Sequence, residues 1–152
     1  MKRLYFAYGA NLNVESMAYR CPKARLVGRA VAWGKKRVFR GVADVVRGSP
    51  KDCVYGAVWE ITPECEASLD RFEGFPRLYT KKKIRVWSHE QGREVLAMIY
   101  VMTSPKRPHY PPCESYYNTI KTGIFDVGWS KKQVVRLDME AGKPVKERIG
   151  WI

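Results

Sequence analysis

Two short stretches of this sequence break the pattern of an ordinary core, and both carry groups that could do chemistry. The first is Tyr8-Gly9-Ala10-Asn11-Leu12. The apolar run Leu4 to Tyr8 reads as a strand buried on both faces, followed at once by a glycine turn and a helix start. Backbone N–H groups in such a turn have no ladder partners, and the helix start adds partial positive charge, so the turn suits a carboxylate or phosphate. Gly9 is expected to supply a backbone angle that other residues resist. The stretch is not a P-loop, which needs a longer glycine loop and a lysine. Many strand–turn–helix connections bind nothing, so spacing alone leaves a plain connection as the other reading.

The second stretch is Leu69-Asp70-Arg71-Phe72-Glu73-Gly74. On a helix, Cys65, Leu69 and Phe72 form one apolar stripe. Glu73 lies four residues beyond Leu69 and borders that stripe, whereas Asp70 is expected to point further toward solvent. Glu73 also occupies the last turn, where the helix dipole disfavours negative charge. Burial and dipole would both raise its pKa toward the range useful for proton transfer. The competing placement is an exposed glutamate in a frayed last turn.

Other chemistries find no residues. There is no Gly-x-Ser-x-Gly nucleophile elbow. Cys21, Cys53, Cys65 and Cys113 form no Cys-x-x-Cys pair, and with two histidines no zinc ligand set emerges, so no metal is expected. Tyr79, Tyr116 and Tyr117 suit either ligand contact or amphipathic core filling.

These residues need a scaffold. After the first strand a short helix begins at Asn13 as N-cap, with Met17 facing inward and Pro22 closing it. Ala24 to Trp33 and Arg37 to Val42 read as strands joined by Gly34-Lys35-Lys36, and Val54 to Trp59 as another. Thr62-Pro63 opens the helix that carries Glu73, and Gly74 stops it. Lys83–Trp87 and Glu94–Met102 form a hairpin around Glu90-Gln91-Gly92. Pro111-Pro112 precedes a helix from about Cys113 to Lys121, ended by Gly123, and Ser130 with Gln133 makes a capping box for a last helix. The tail 138–152 has no assignment. Strands dominate the first two-thirds and helices are inserted singly, so the fold class is α+β: a small, curved or barrel-like sheet with flanking helices.

The 152 residues suit a single domain over 1–152. The 45% apolar content excludes a disordered chain. The longest apolar run, Val95 to Met102, is far short of the ~20 residues of a spanning helix, so no membrane is expected as a partner. Free cysteines fit a reducing, cytoplasmic setting. The net charge is +13, with clusters at Lys35, Lys36, Arg37 and Arg40, at Lys81, Lys82, Lys83 and Arg85, and at Lys131 and Lys132. Such a surface can attract nucleic acid or an acidic partner, or simply stay solvated; no nucleic-acid motif accompanies it.

Several segments together resemble the gamma-glutamylcyclotransferase family, including its AIG2-like members. They are Tyr5 to Leu12, Arg20-Cys21-Pro22-Lys23-Ala24, Val54 to Trp59, Leu69 to Gly74, and Tyr79, with Pro111-Pro112, Tyr116 and Gly123 matching a later helix. Order and spacing agree from about residue 3 to 137. The resemblance implies a small mixed β-barrel with helices. It implies that the loop Tyr8 through Leu12 binds a γ-glutamyl group and that Glu73 is the acid/base, with Tyr79 and Tyr116 as further substrate contacts. It also implies a cofactor-independent reaction in which the substrate's α-amine attacks its own side-chain carbonyl, releasing 5-oxoproline and a free amine. Ala10 stands where the family often has serine, a change a loop working through backbone amides would tolerate. The alternative is an inactive binding module of this fold that uses its basic surface.

Overall fold

A computed structural model describes residues 3–143. Its elements are β1 (Arg3–Ala7), a 3-10 turn (Ala10–Leu12), α1 (Val14–Arg20), β2 (Arg25–Trp33), β3 (Lys35–Phe39), β4 (Ala43–Arg47) and β5 (Cys53–Ile61). They continue with α2 (Pro63–Glu73), β6 (Tyr79–Ser88), β7 (Arg93–Met102), α3 (Glu114–Asp126) and α4 (Lys131–Glu140). Five strands close a barrel in the order β1-β5-β2-β6-β7, and β3 and β4 pair separately as a two-stranded ribbon. The barrel pairs are antiparallel except β1 with β7, where Tyr5 lies beside Met98 in parallel register. The expected mixed barrel with flanking helices is the architecture observed.

The caps that fix the helices are those the sequence predicts. The Asn13 side chain accepts from the Ser16 amide at 2.9 Å, Thr62 accepts from the Cys65 amide at 3.1 Å, and the Ser130–Gln133 capping box is formed. Each satisfies amides that a helix start leaves without partners. Met17 is fully buried, as expected.

Several expectations need correction. The strand expected over Arg37–Val42 is β3 followed by a turn, in which Gly41 takes φ 84° and the Arg40 amide donates to Val42. The sequence reading has no strand at β4, which carries Asp44 as its second residue. That aspartate is buried and satisfied: it pairs with Arg40 at 3.0 Å and accepts from the amides of Val45 and Met102. The basic cluster at 35–40 is therefore only partly a surface, since Arg37 and Arg40 are 3% and 8% exposed.

Gly123 does not end its helix but lies inside α3. A Cβ there would stand 2.5 Å from the Leu12 carbonyl carbon, so glycine lets α3 press against the 3-10 turn. The hairpin strands are longer than expected, reaching back to Tyr79. The segment from 138 begins as the end of α4, where Asp138 is buried and receives the Tyr117 hydroxyl; Trp151 and the rest of the expected tail lie outside the described residues. Among the described residues no helix is long and apolar enough to cross a membrane.

Candidate active site

Glu73 is the last residue of α2. Gly74 takes a left-handed conformation at φ 68° and the Phe75 amide returns to the Asp70 carbonyl, which stops the helix there. Cys65 and Leu69 are buried against the body of the fold, as the stripe requires, and Glu73 follows Leu69 inward. Phe72 departs from the expected stripe: it is 46% exposed, with its ring under the Arg20 guanidinium at 3.5 Å. Asp70 departs too. It accepts from the Tyr100 hydroxyl at 2.5 Å and from Lys81 Nζ at 3.1 Å, so it is tied to the barrel instead of facing solvent.

The Glu73 carboxyl lines a cavity of about 120 Å³ and makes no hydrogen bond or ion pair among the described residues. Burial pushes its pKa up from 4.5 to about 7, against a smaller opposing pull from the charge of Arg20. Burial, one of the two causes expected from the sequence, is the larger of the effects on this carboxyl.

Tyr8, Gly9, Ala10, Asn11, Tyr79 and Tyr116 line the same cavity, so the structure brings seven sequence-selected residues together. Leu12 does not join them. It is fully buried beneath α3, where it fixes the turn from below. Gly9 has φ −125° and ψ −132°, outside the regular helical and extended regions, and a Cβ there would lie 3.1 Å from the Tyr116 hydroxyl oxygen. The 3-10 turn uses the amides of Leu12 and Asn13, bonded to the carbonyls of Gly9 and Ala10. The amides of Gly9, Ala10 and Asn11 have no acceptor among the described residues. Three donors without partners thus belong to residues that line one small cavity, an arrangement that could accept an anion. The Asn11 carbonyl accepts from Trp59 Nε1 at 3.1 Å, and its side-chain amide donates to the Tyr5 hydroxyl at 3.0 Å, so barrel strands hold the loop in place.

The phenols around the cavity divide by what they do with their protons. Tyr8 donates to the Tyr100 carbonyl at 2.6 Å and Tyr79 to the Ala43 carbonyl at 2.6 Å, so both are committed to backbone. The Tyr116 hydroxyl instead accepts from the Ala43 amide, and that of Tyr5 accepts from Asn11. Each of these two keeps its own proton for another acceptor. Burial raises the pKa of Tyr116 to about 12 and those of Tyr5, Tyr8, Tyr79 and Tyr100 above the usual phenol range, so all five are uncharged donors near neutrality.

Tyr5 and Tyr100 escape a reading by motif. Their signal is a phenol within an otherwise apolar strand, because a buried hydroxyl must find a partner. Val42 and Ala43 escape it because the β3–β4 turn that brings them to the cavity was not recognised.

A sequence model of the family described as "Gamma-glutamyl cyclotransferase, AIG2-like" matches residues 5–119, most of the chain. The protein belongs to the gamma-glutamyl cyclotransferase, AIG2-like family. Mouse gamma-glutamylcyclotransferase is 33% identical over 138 residues, covering 82% of this chain and 71% of that protein. The human protein of the same name is 31% identical over 137 residues with the same coverage. A solved structure titled "Gamma-glutamyl cyclotransferase" superposes with a TM-score of 0.82 at 28% identity, covering 91% of this chain and 87% of that one. The chain is thus an enzyme of the gamma-glutamyl cyclotransferase family, and the matched region spans both the loop and Glu73.

Proposed function

We propose that this cyclotransferase releases 5-oxoproline from a small γ-glutamyl amine or amide, with Glu73 as acid/base. The substrate's α-carboxylate rests on the amides of Gly9, Ala10 and Asn11. Glu73, as carboxylate, takes a proton from the α-ammonium. The freed amine attacks the γ-carbonyl carbon and forms the lactam C–N bond. As the bond from that carbon to the leaving nitrogen breaks, Glu73 returns the proton to that nitrogen, and the second proton shed by the attacking nitrogen passes through the freed carboxylate to the departing amine, which leaves as an ammonium. Tyr116, with its hydroxyl proton uncommitted, donates to the carbonyl oxygen as negative charge gathers there. Tyr8 and Tyr79 shape the wall and hold backbone. Because attack is intramolecular, the site's main task is to hold the folded rotamer, for which effective molarities reach about 10⁵ M or more.

The observation that carries this reading is an unpartnered, half-dry carboxyl with a pKa near 7, in one small cavity with three free amides. A carboxyl with that pKa exchanges protons with an amine at little cost near neutral pH. The test is 5-oxoproline release by Glu73→Gln. The variant should fold with an unchanged circular dichroism spectrum and lose at least ~10²-fold in kcat, the usual scale for an acid/base residue. A folded Glu73→Gln enzyme with undiminished turnover would end the assignment.

A further inference from the structure

Arg20 is the last residue of α1 and belongs to neither stretch that makes up the site. Its guanidinium nevertheless touches both. Nη1 donates to the Asn11 side-chain oxygen at 2.9 Å, and the guanidinium carbon lies 3.5 Å from the centroid of the Phe72 ring. Phe72 precedes Glu73 in the last turn of α2. The Arg20 carbonyl accepts from the Ser68 hydroxyl at 2.7 Å, a second tie between the end of α1 and the same helix. The geometry points to Arg20 as a positioning residue that clamps the Asn11 loop to the helix end carrying Glu73 and sets a fixed positive charge near that carboxyl. This inference rests on the acid/base reading of Glu73.

Two separable effects follow from the side chain's chemistry. The hydrogen bond to Asn11 fixes which way that amide points: with its oxygen held by Arg20, its nitrogen must face Tyr5, as observed. Freed from Arg20, the Asn11 side chain would keep only its bond to Tyr5, and the loop would lose its tie to the end of α1. The charge acts on Glu73 through space, without an ion pair, and opposes the effect of burial. The other titratable groups facing Glu73 are Tyr5 from β1, Tyr8 from the loop, Tyr79 from β6, Tyr100 from β7 and Tyr116 from α3, all neutral near pH 7. Arg20 is therefore the charge that tempers how tightly Glu73 holds its proton. Too tight a hold would leave no carboxylate at neutral pH to accept the substrate's proton.

Arg20→Met and Arg20→Lys test this with two readouts. One is the titration of Glu73, followed by carboxyl ¹³C NMR on glutamate-labelled protein without substrate, with the Glu73→Gln spectrum identifying the resonance. The other is KM and kcat for 5-oxoproline release from γ-glutamyl-alanine.

Arg20→Met should move the Glu73 midpoint upward from near 7, because an opposing positive charge is lost. It should also raise KM about tenfold, the usual scale for a lost hydrogen bond to a charged group. Arg20→Lys should keep the midpoint near 7, since the charge remains, yet still raise KM, since an ammonium lacks the planar fork. A merely structural role would move thermal stability and neither readout. Wild-type midpoint and KM in folded Arg20→Met would overturn the inference. If that variant does not fold, Arg20→Lys decides: a shifted midpoint with unchanged KM overturns it. Retained activity in Glu73→Gln would instead sink the acid/base reading, while the NMR titration would still report whether Arg20 governs the carboxyl.

Discussion

A glutamate that prefers its proton in the folded state leaves a mark on stability as well as on rate. The folded pKa of Glu73 is near 7 against 4.5 for an ordinary side chain, so between those values the native state binds more protons than the unfolded chain. Stability supplied by this group is therefore full at low pH and falls as pH rises through that window. The loss is on the order of 3 kcal/mol. Glutamine cannot ionise, so Glu73→Gln should gain on wild type by about that amount between pH 4.5 and 8, as measured by denaturant unfolding. A difference independent of pH would mean the carboxyl is not held dry. This residue was legible in the sequence because its spacing from Leu69 turns it inward. Asp70 was not, because its direction is set by Tyr100 and Lys81, and one helix cannot display partners on strands that follow it. Phe72 was misplaced for the same reason: its cover is an arginine on another helix.

Helices α1, α2 and α4 could be read directly, since Asn13, Thr62 and Ser130 announce their starts by side-chain chemistry that operates within a few residues. The ribbon β3–β4 could not, because its defining feature, Asp44 buried in mid-strand, depends on Arg40 and on the Met102 amide far along the chain. Gly123 shows how a local rule is overridden. A glycine in this position reads as a stop, yet α3 continues because that residue must pass within contact of the Leu12 and Asn13 backbone. Two effects compete in Gly123→Ala. Helix propensity favours alanine by about 0.8–1.0 kcal/mol. Against it stands a Cβ at 2.5 Å and 2.6 Å from backbone atoms, which have no rotamer to yield. Such overpacking costs about 1–3 kcal/mol, so the collision should win. The expected outcome is a lower urea midpoint together with a raised KM, because the displaced backbone is the base of the Gly9–Asn11 loop. A stabilised variant would show that α3 is free to move away from the turn.

The two ends of the described chain are joined by one cation. Arg37, on the ribbon, is 1% exposed at its side chain. Its Nε donates to the Tyr8 carbonyl at 3.0 Å, one Nη to the Tyr55 carbonyl at 2.7 Å, and the other to Glu140 at 2.7 Å. Strand β5, the residue that begins the cavity loop, and the last turn of α4 therefore share a single guanidinium. Only arginine has enough donors in a fixed fork to serve all three. Removing it would leave two carbonyls without this donor and Glu140, 13% exposed, with only the longer contact to Arg136 Nε at 3.7 Å. Breaking one side of a buried pair typically costs about 3–5 kcal/mol. Arg37→Met should therefore lower the unfolding free energy by about that much with an unchanged denaturant slope. Arg37→Met/Glu140→Leu should recover part of the loss, because the abandoned charge is gone, but not all of it, because the carbonyls of Tyr8 and Tyr55 remain unserved. Full recovery in the double variant would mean that the pair, and not the two carbonyls, accounts for the arginine. Both variants should also raise KM, since the Tyr8 carbonyl immediately precedes Gly9; an unchanged KM would separate the anchoring of α4 from that of the loop.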